Sequence, residues 1–234
     1  MDETSDIYFG TYVGELILKP LSDGRRMKLF QDFGFNDLRE TNWNVPRHAI
    51  VDGASIPQSL WSIIGGPFEG KYRDASVIHD YFCDVRTRPW RDVHRVFYEG
   101  MRASGVGETR AKIMYAAVYF KGPRWNDTVV HNSNIKADDN LVSFRIRHSD
   151  FQLKVLDAIG LDNLTAHEFL KNGNAAYPQG ERTFLDLEIL SDAIATENPS
   201  LTEIEAAIDS SVEVLEPWWN EHERSFEGLD RMKE

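Results

Sequence analysis

The sequence predicts an α+β fold: a small N-terminal antiparallel β unit packed on a helical bundle that contains an antiparallel helix pair, followed by a mainly helical, acidic C-terminal region. Three observations predict it. β-branched and aromatic runs separated by turn residues lie before Asp52, helix-length segments punctuated by Gly and Pro run from Lys71 to Trp125, and the charge changes character after Trp125. Up to Trp125 there are 17 Lys and Arg against 16 Asp and Glu; beyond it there are 9 against 22, so nearly all of the net charge of -12 lies in the second part. The chain is therefore divided into a domain over 1–125, a linker over 126–140 and an acidic helical region over 141–234. At 234 residues it is long enough to bury a core without staples.

Ile7 to Leu18 is rich in β-branched and aromatic residues, Leu21-Ser22-Asp23-Gly24 is a turn, and Arg26 to Phe33 alternates, which predicts a hairpin. Asn42 to Pro46 and His48 to Val51 predict further short strands. Asp52 to Pro57 reads as a turn with Ser55 as helix N-cap and Pro57 in the first turn, opening a short helix over Gln58 to Ile64 that Gly65-Gly66-Pro67 ends. Lys71 to Asp84, Trp90 to Ser104 and Glu108 to Phe120 are predicted helices, divided by Gly105-Val106-Gly107 and stopped by Gly122-Pro123. Beyond the linker, Leu141 to Ile146 reads as a strand, and Asp150 to Ile159, Thr165 to Lys171, Thr183 to Ala195 and Leu201 to Leu215 read as helices. Pro199-Ser200 followed by Thr202-Glu203-Ile204-Glu205 marks a helix start with acidic residues in its first turn.

Composition narrows the function classes. The acidic balance argues against nucleic-acid binding, which needs Lys and Arg against phosphates, and fits a basic protein partner for the C-terminal region. No apolar run approaches bilayer length, and the acidic start Met1 to Asp6 is unlike a classical signal peptide. Cys83 is the sole cysteine, so no intrachain disulfide forms. The expected location is the cytoplasm of the producing cell, with export by a specialised secretion system left open.

The chemistry concentrates in Val77 to Asp84 and Asp92 to Phe97. Val85 to Trp90 between them is a turn, because Pro89 suits a first helical turn and not a helix interior. The flanks then form an antiparallel pair with His79-Asp80 and His94 side by side, roughly two helical turns from the bend. Three readings follow. His79, His94 and Asp52 hold a divalent metal, zinc or calcium, with Asp80 as ligand or supporting acceptor; or His79 is a general base oriented by a carboxylate; or the group satisfies itself as buried structure, since Asp80 points about 100° from His79. No His-Glu-x-x-His pattern is present. Cys83 follows His79 by one turn on the same face, which permits a Cys-His nucleophile, but a small buried hydrophobe is the preferred reading. His48, His131, His148, His167 and His222 have no ligand spacing and are read as surface or structural.

Asp52-Gly53-Ala54-Ser55-Ile56-Pro57, Leu60-Trp61, Gly66-Pro67, Val77-Ile78-His79-Asp80-Tyr81, Met114 to Val118 and Gly122-Pro123-Arg124-Trp125 together resemble the family called domain of unknown function 1353, of phage and bacterial genomes, over roughly Ile7 to Trp125. That pattern carries an Asp where this chain has His94, an exchange that keeps a metal ligand but replaces a ring-orienting carboxylate with a base. His79-Asp80-Tyr81 is also similar to the His-Asp helix of secreted phospholipases, without their calcium loop or disulfides. The expected function is a small hydrolase, metal-dependent in one version, using His79, Asp80, His94 and Asp52 on a lipid ester, peptide or phosphoester. The alternative is a non-enzymatic phage- or secretion-associated binding protein whose acidic C-terminal helices dock a protein, and a third reading makes those helices the regulator of an enzyme.

Overall fold

A computed structural model describes residues 8–52, 70–125, 150–158 and 187–210. The chain divides into two compact units, Met1–Ser143 and Phe144–Glu234. Strands come first and helices after, as the α+β class requires. The predicted helices over Gln58 to Ile64 and Thr165 to Lys171, the strand over Leu141 to Ile146, Ser55 and the linker lie outside the described residues.

Six short strands form two three-stranded antiparallel sheets: β1 (Thr11–Val13), β4 (Phe33–Asn36) and β5 (Asn42–Val45) in the order β1-β4-β5, and β2 (Leu18–Pro20), β3 (Met27–Leu29) and β6 (Ile50–Val51) in the order β2-β3-β6. The hairpin expected from Ile7 to Phe33 is present but broken across both sheets. Gly14 has φ +82, and a Cβ there would lie 3.0 Å from the Asp32 carbonyl oxygen, so the chain bends between β1 and β2 where only glycine fits without strain. Phe30 N–H donates to the Ile17 carbonyl at 2.9 Å and the Gln31 amide to the Glu15 carbonyl at 2.8 Å, which carries the pairing across the break.

The β5 strand alternates exposed and buried residues, so Trp43 and Val45 face inward opposite Phe35 and Phe33 of β4. Buried Asp37 closes the β4–β5 connection by accepting from the Trp43 indole at 3.0 Å and from the backbone N–H groups of Thr41 at 2.8 Å and Arg39 at 2.9 Å.

The helices of the first unit are α1 (Arg73–Val85), α2 (Trp90–Ala103) and α3 (Glu108–Lys121), with one 3-10 turn, Gly70–Tyr72, before α1. α1 stops where Arg86 takes a left-handed φ of 52 and donates its N–H to the Phe82 carbonyl, and α2 starts directly after Pro89. Ala75 faces Gly100 and His79 faces His94, so the two helices run antiparallel, as the turn between them predicts. Val77, Ile78, Phe82, Val93 and Val96 join Leu29, Phe33, Phe35, Trp43 and Val51 in one core between helix pair and sheets. Tyr12 locks the layers together: its hydroxyl donates to the Gly100 carbonyl at 2.9 Å, and a Cβ on residue 100 would lie 2.8 Å from the Tyr12 hydroxyl oxygen. α3 is buried on every face from Met114 to Phe120, which explains its lack of an apolar stripe.

In the second unit, α4 (Asp150–Ala158) packs on α5 (Leu187–Glu197) through Phe151, Val155, Leu190 and Ile194, with Lys154 Nζ 3.0 Å from Glu197. Residues 201–210 form a further helix, opened by a capping box: Ser200 Oγ accepts from Glu203 N–H at 3.2 Å and Glu203 accepts from Ser200 N–H at 2.7 Å. Among the described residues no helix is long and apolar enough to cross a membrane.

Burial opposes ionisation of Asp37, but the hydrogen bonds from Trp43, Thr41 and Arg39 and the Arg39 guanidinium outweigh it and hold the carboxyl below its ordinary value of 3.8. Its contribution to stability is therefore full above 3.8 and is lost as pH falls through the lower folded value. Asp37→Asn is expected to destabilise the first unit by about 1–3 kcal/mol at neutral pH, with the deficit shrinking in acid; urea unfolding across pH checks both.

Candidate functional site

The helix pair brings two of the four predicted site residues into direct contact. His79 of α1 and His94 of α2 are both fully buried, their rings 5.1 Å apart, and His79 Nε2 and His94 Nδ1 share a hydrogen bond of 2.8 Å. Aromatic rings enclose them: Phe97 lies 4.9 Å from the His79 ring, and Trp90 lies 5.4 Å from the His94 ring. Cys83, one turn after His79, places Sγ 3.6 Å from His79 Nε2 and 3.9 Å from Nδ1. His79, Cys83 and His94 each offer a ligand atom within 4.8 Å of the others.

Asp52 and Asp80 do something else. Asp80 is also buried, but it turns away from the imidazoles and accepts the Asp52 backbone N–H at 2.8 Å, while the Asp52 carboxylate lies 3.8 Å from the Arg25 guanidinium. Neither carboxylate belongs to the His79-Cys83-His94 group. The change of role follows from helix geometry: successive residues of α1 differ by about 100° in direction, so His79 and Cys83 face α2 while Asp80 faces the end of β6. Cys83 is the third member; it is buried in the core, as the small-hydrophobe reading expects, and its i+4 spacing from His79 is the signal that places it beside that ring.

Cys83 also connects the buried pair to the outside. With Arg26, Ile50, Asp52, Asp80, Asp84 and Pro123 it lines a cleft of about 480 Å³, although only 3% of its own surface is exposed. Gly122, at the end of α3, closes the far side of His94: a Cβ there would lie 2.9 Å from Cε1 and 3.1 Å from Nε2. His48, the other described histidine, is exposed in a turn.

Burial holds both imidazoles neutral. It pushes His79 down to about 3, and it pushes His94 well below the ordinary histidine value, helped by the nearby His79 and Arg124 charges and opposed by the Pro123 backbone. Two neutral rings sharing one proton between Nε2 of His79 and Nδ1 of His94 leave His94 Nε2 buried with no hydrogen bond of good geometry. A buried polar atom left this way carries a cost of about 1–3 kcal/mol unless something else meets it.

The sign of the pH effect follows. Above the unfolded histidine value of 6.5 neither state takes up a proton and stability is full; as pH falls from there toward the lower folded values, the unfolded chain binds protons that the folded chain refuses. The metal-free chain is expected to lose up to about 1.4 kcal/mol per pH unit for each histidine in that window, and His79→Gln is expected to show a shallower slope. Chemical denaturation in chelator-treated buffer between about pH 6 and pH 4 measures it.

Residues 27–118 match the family model described as "Protein of unknown function (DUF1353)". Two curated proteins of Sinorhizobium fredii (strain NBRC 101917 / NGR234) are similar: uncharacterized protein y4jT, 58% identical over 98 residues, and uncharacterized protein y4iH, 45% identical over 103 residues. The matches cover 42% and 44% of this chain but only 29% and 43% of those proteins, so the chain spans less than half the length of either relative. No solved structure matches. Both histidines, Cys83 and Asp80 lie inside the stretch over which the chain matches the DUF1353 family model of proteins of unknown function.

Proposed function

We propose that the first unit is a small hydrolase working in the cleft beside α1. The observation that carries this reading is the hydrogen-bonded His79–His94 pair, held neutral by burial and separated from the cleft by Cys83. A neutral imidazole is the form of histidine that accepts a proton, and one ring bonded to a second has a fixed orientation. In this reading His79 is the base, a weak one because burial lowers its proton affinity, and His94 fixes its ring. Because His79 has no surface of its own, its action on a bound molecule passes through Cys83, either as the thiol itself or through a water held at that position. Asp80 shapes the cleft by holding the Asp52 backbone, and Arg26 supplies the cation at its wall. Lipid esters, peptides and phosphoesters all contain the electrophile this arrangement needs.

A second reading draws on the charge asymmetry alone: 22 acidic against 9 basic residues beyond Trp125 suit a surface that docks a basic protein, with the phage- or secretion-associated role that implies. The two readings make opposite demands on the chain.

The purified protein is tested for turnover of carboxyl ester, peptide and phosphoester panels. His79→Ala is expected to reduce the rate by about 100-fold or more, while a chain ending at Ser143 keeps it. Absence of turnover on all three panels, or equal rates with and without His79, would sink the hydrolase reading; biological activity that survives His79→Ala and disappears on removing 144–234 would support docking.

A further inference from the structure

The His79-His94-Cys83 group brings three side chains able to ligate a metal together, all of them buried, in a space walled by Phe97 and Trp90. A core needing only to be filled would place apolar side chains at these positions, since a partly satisfied polar group is costlier than an apolar one of the same shape. We propose that His79, His94 and Cys83 form a zinc-binding site. Metal binding is read without catalytic turnover, so this assignment is tested apart from the hydrolase reading; a zinc-bound His79, protonated on its other nitrogen, is no longer the free base of that reading.

Bond lengths test the fit. With Zn–N near 2.0–2.1 Å and Zn–S near 2.3 Å, neighbouring donors of a tetrahedral ion stand about 3.3 Å apart for two nitrogens and about 3.6 Å apart for nitrogen and sulfur. Cys83 Sγ is 3.6 Å from His79 Nε2, which matches. His79 Nε2 and His94 Nδ1, at 2.8 Å, stand at hydrogen-bond distance and open by about 0.5 Å when an ion replaces the shared proton. That proton moves to His79 Nδ1, and His94 keeps its own on Nε2, facing the Pro123 backbone that favours it there. The thiol proton of Cys83 leaves to solvent as the thiolate binds.

Two nitrogens and a sulfur select the metal class. Calcium takes oxygen ligands, so this group does not suit it; imidazole and thiolate suit zinc. Three protein donors among the described residues leave a fourth coordination position, as in sites that hold water or substrate. The cleft beyond Cys83 is the side from which such a molecule approaches.

The test uses the full chain. Zinc is removed with chelator, and Co²⁺ is titrated in as a spectroscopic stand-in while zinc affinity is measured by competition with a chromophoric chelator. The expected result is one ion per chain, with a sulfur-to-cobalt charge-transfer band. That band is expected to vanish in Cys83→Ala, and zinc affinity to fall in Cys83→Ala and His94→Ala by more than the roughly 10- to 100-fold that loss of a supporting hydrogen bond costs. Asp52→Ala, whose carboxylate lies outside the group, keeps wild-type affinity. Circular dichroism identifies any variant that fails to fold, and Cys83→Ser then replaces Cys83→Ala. A wild-type chain that binds neither ion overturns the assignment, as does an unchanged affinity in folded Cys83 and His94 variants. Hydrolysis without metal binding removes this site and leaves the hydrolase reading, and zinc binding without hydrolysis does the reverse.

Discussion

Two fully buried imidazoles joined at 2.8 Å between two helices set the terms for the rest of the first unit. Burial disfavours the charged form of both rings, and the antiparallel register of α1 and α2 brings Nε2 of His79 to Nδ1 of His94. The same register places Ala75 against Gly100, where a larger residue would collide with Ala75 and with the Tyr12 hydroxyl from β1. Sheet, α1 and α2 are thereby coupled through α2: shifting α2 breaks the histidine bond to α1 and the Tyr12 contact to β1 together.

One helix serves two environments because its residues turn by about 100° each. His79 and Cys83 look toward α2, whereas Asp80 and Asp84 look toward the end of β6 and line the cleft. Cys83 belongs to both, touching His79 on one side and the cleft on the other. Asp80 uses its buried carboxylate to hold the backbone at Asp52, a positioning task that fixes the cleft wall without placing a carboxylate beside the imidazoles. The chemistry is thus carried by nitrogen and sulfur, and the carboxylates shape the space around it.

The β unit shows how short strands are assembled on such a helix pair. A single long hairpin would carry its two strands past the helices as one ribbon; the bend at Gly14 folds it into two small sheets whose inward residues share the core with Val77, Ile78 and Phe82. Asp37 holds the next connection by gathering three N–H donors onto one carboxylate, and Trp43 is both its partner and a core side chain.

The sequence by itself determined the class of fold, the limits of α1, α2 and α3 to within a residue or two and the pairing of α1 with α2, because these rest on local chemistry. Pro89 opens a helix wherever it follows a turn, Gly122-Pro123 ends one, and Ser200 with Glu203 forms a capping box from adjacent residues. His79 and His94 were legible as neighbours for the same reason, since equal spacing from one turn fixes equal height on two helices. Tertiary structure alone decided the bend at Gly14, the Tyr12–Gly100 lock, the assignment of Asp52 and Asp80 to each other, and the place of Cys83 beside the imidazoles. Each depends on how far apart and at what angle two distant segments pack, and residue type at a position says nothing of that until the segments meet.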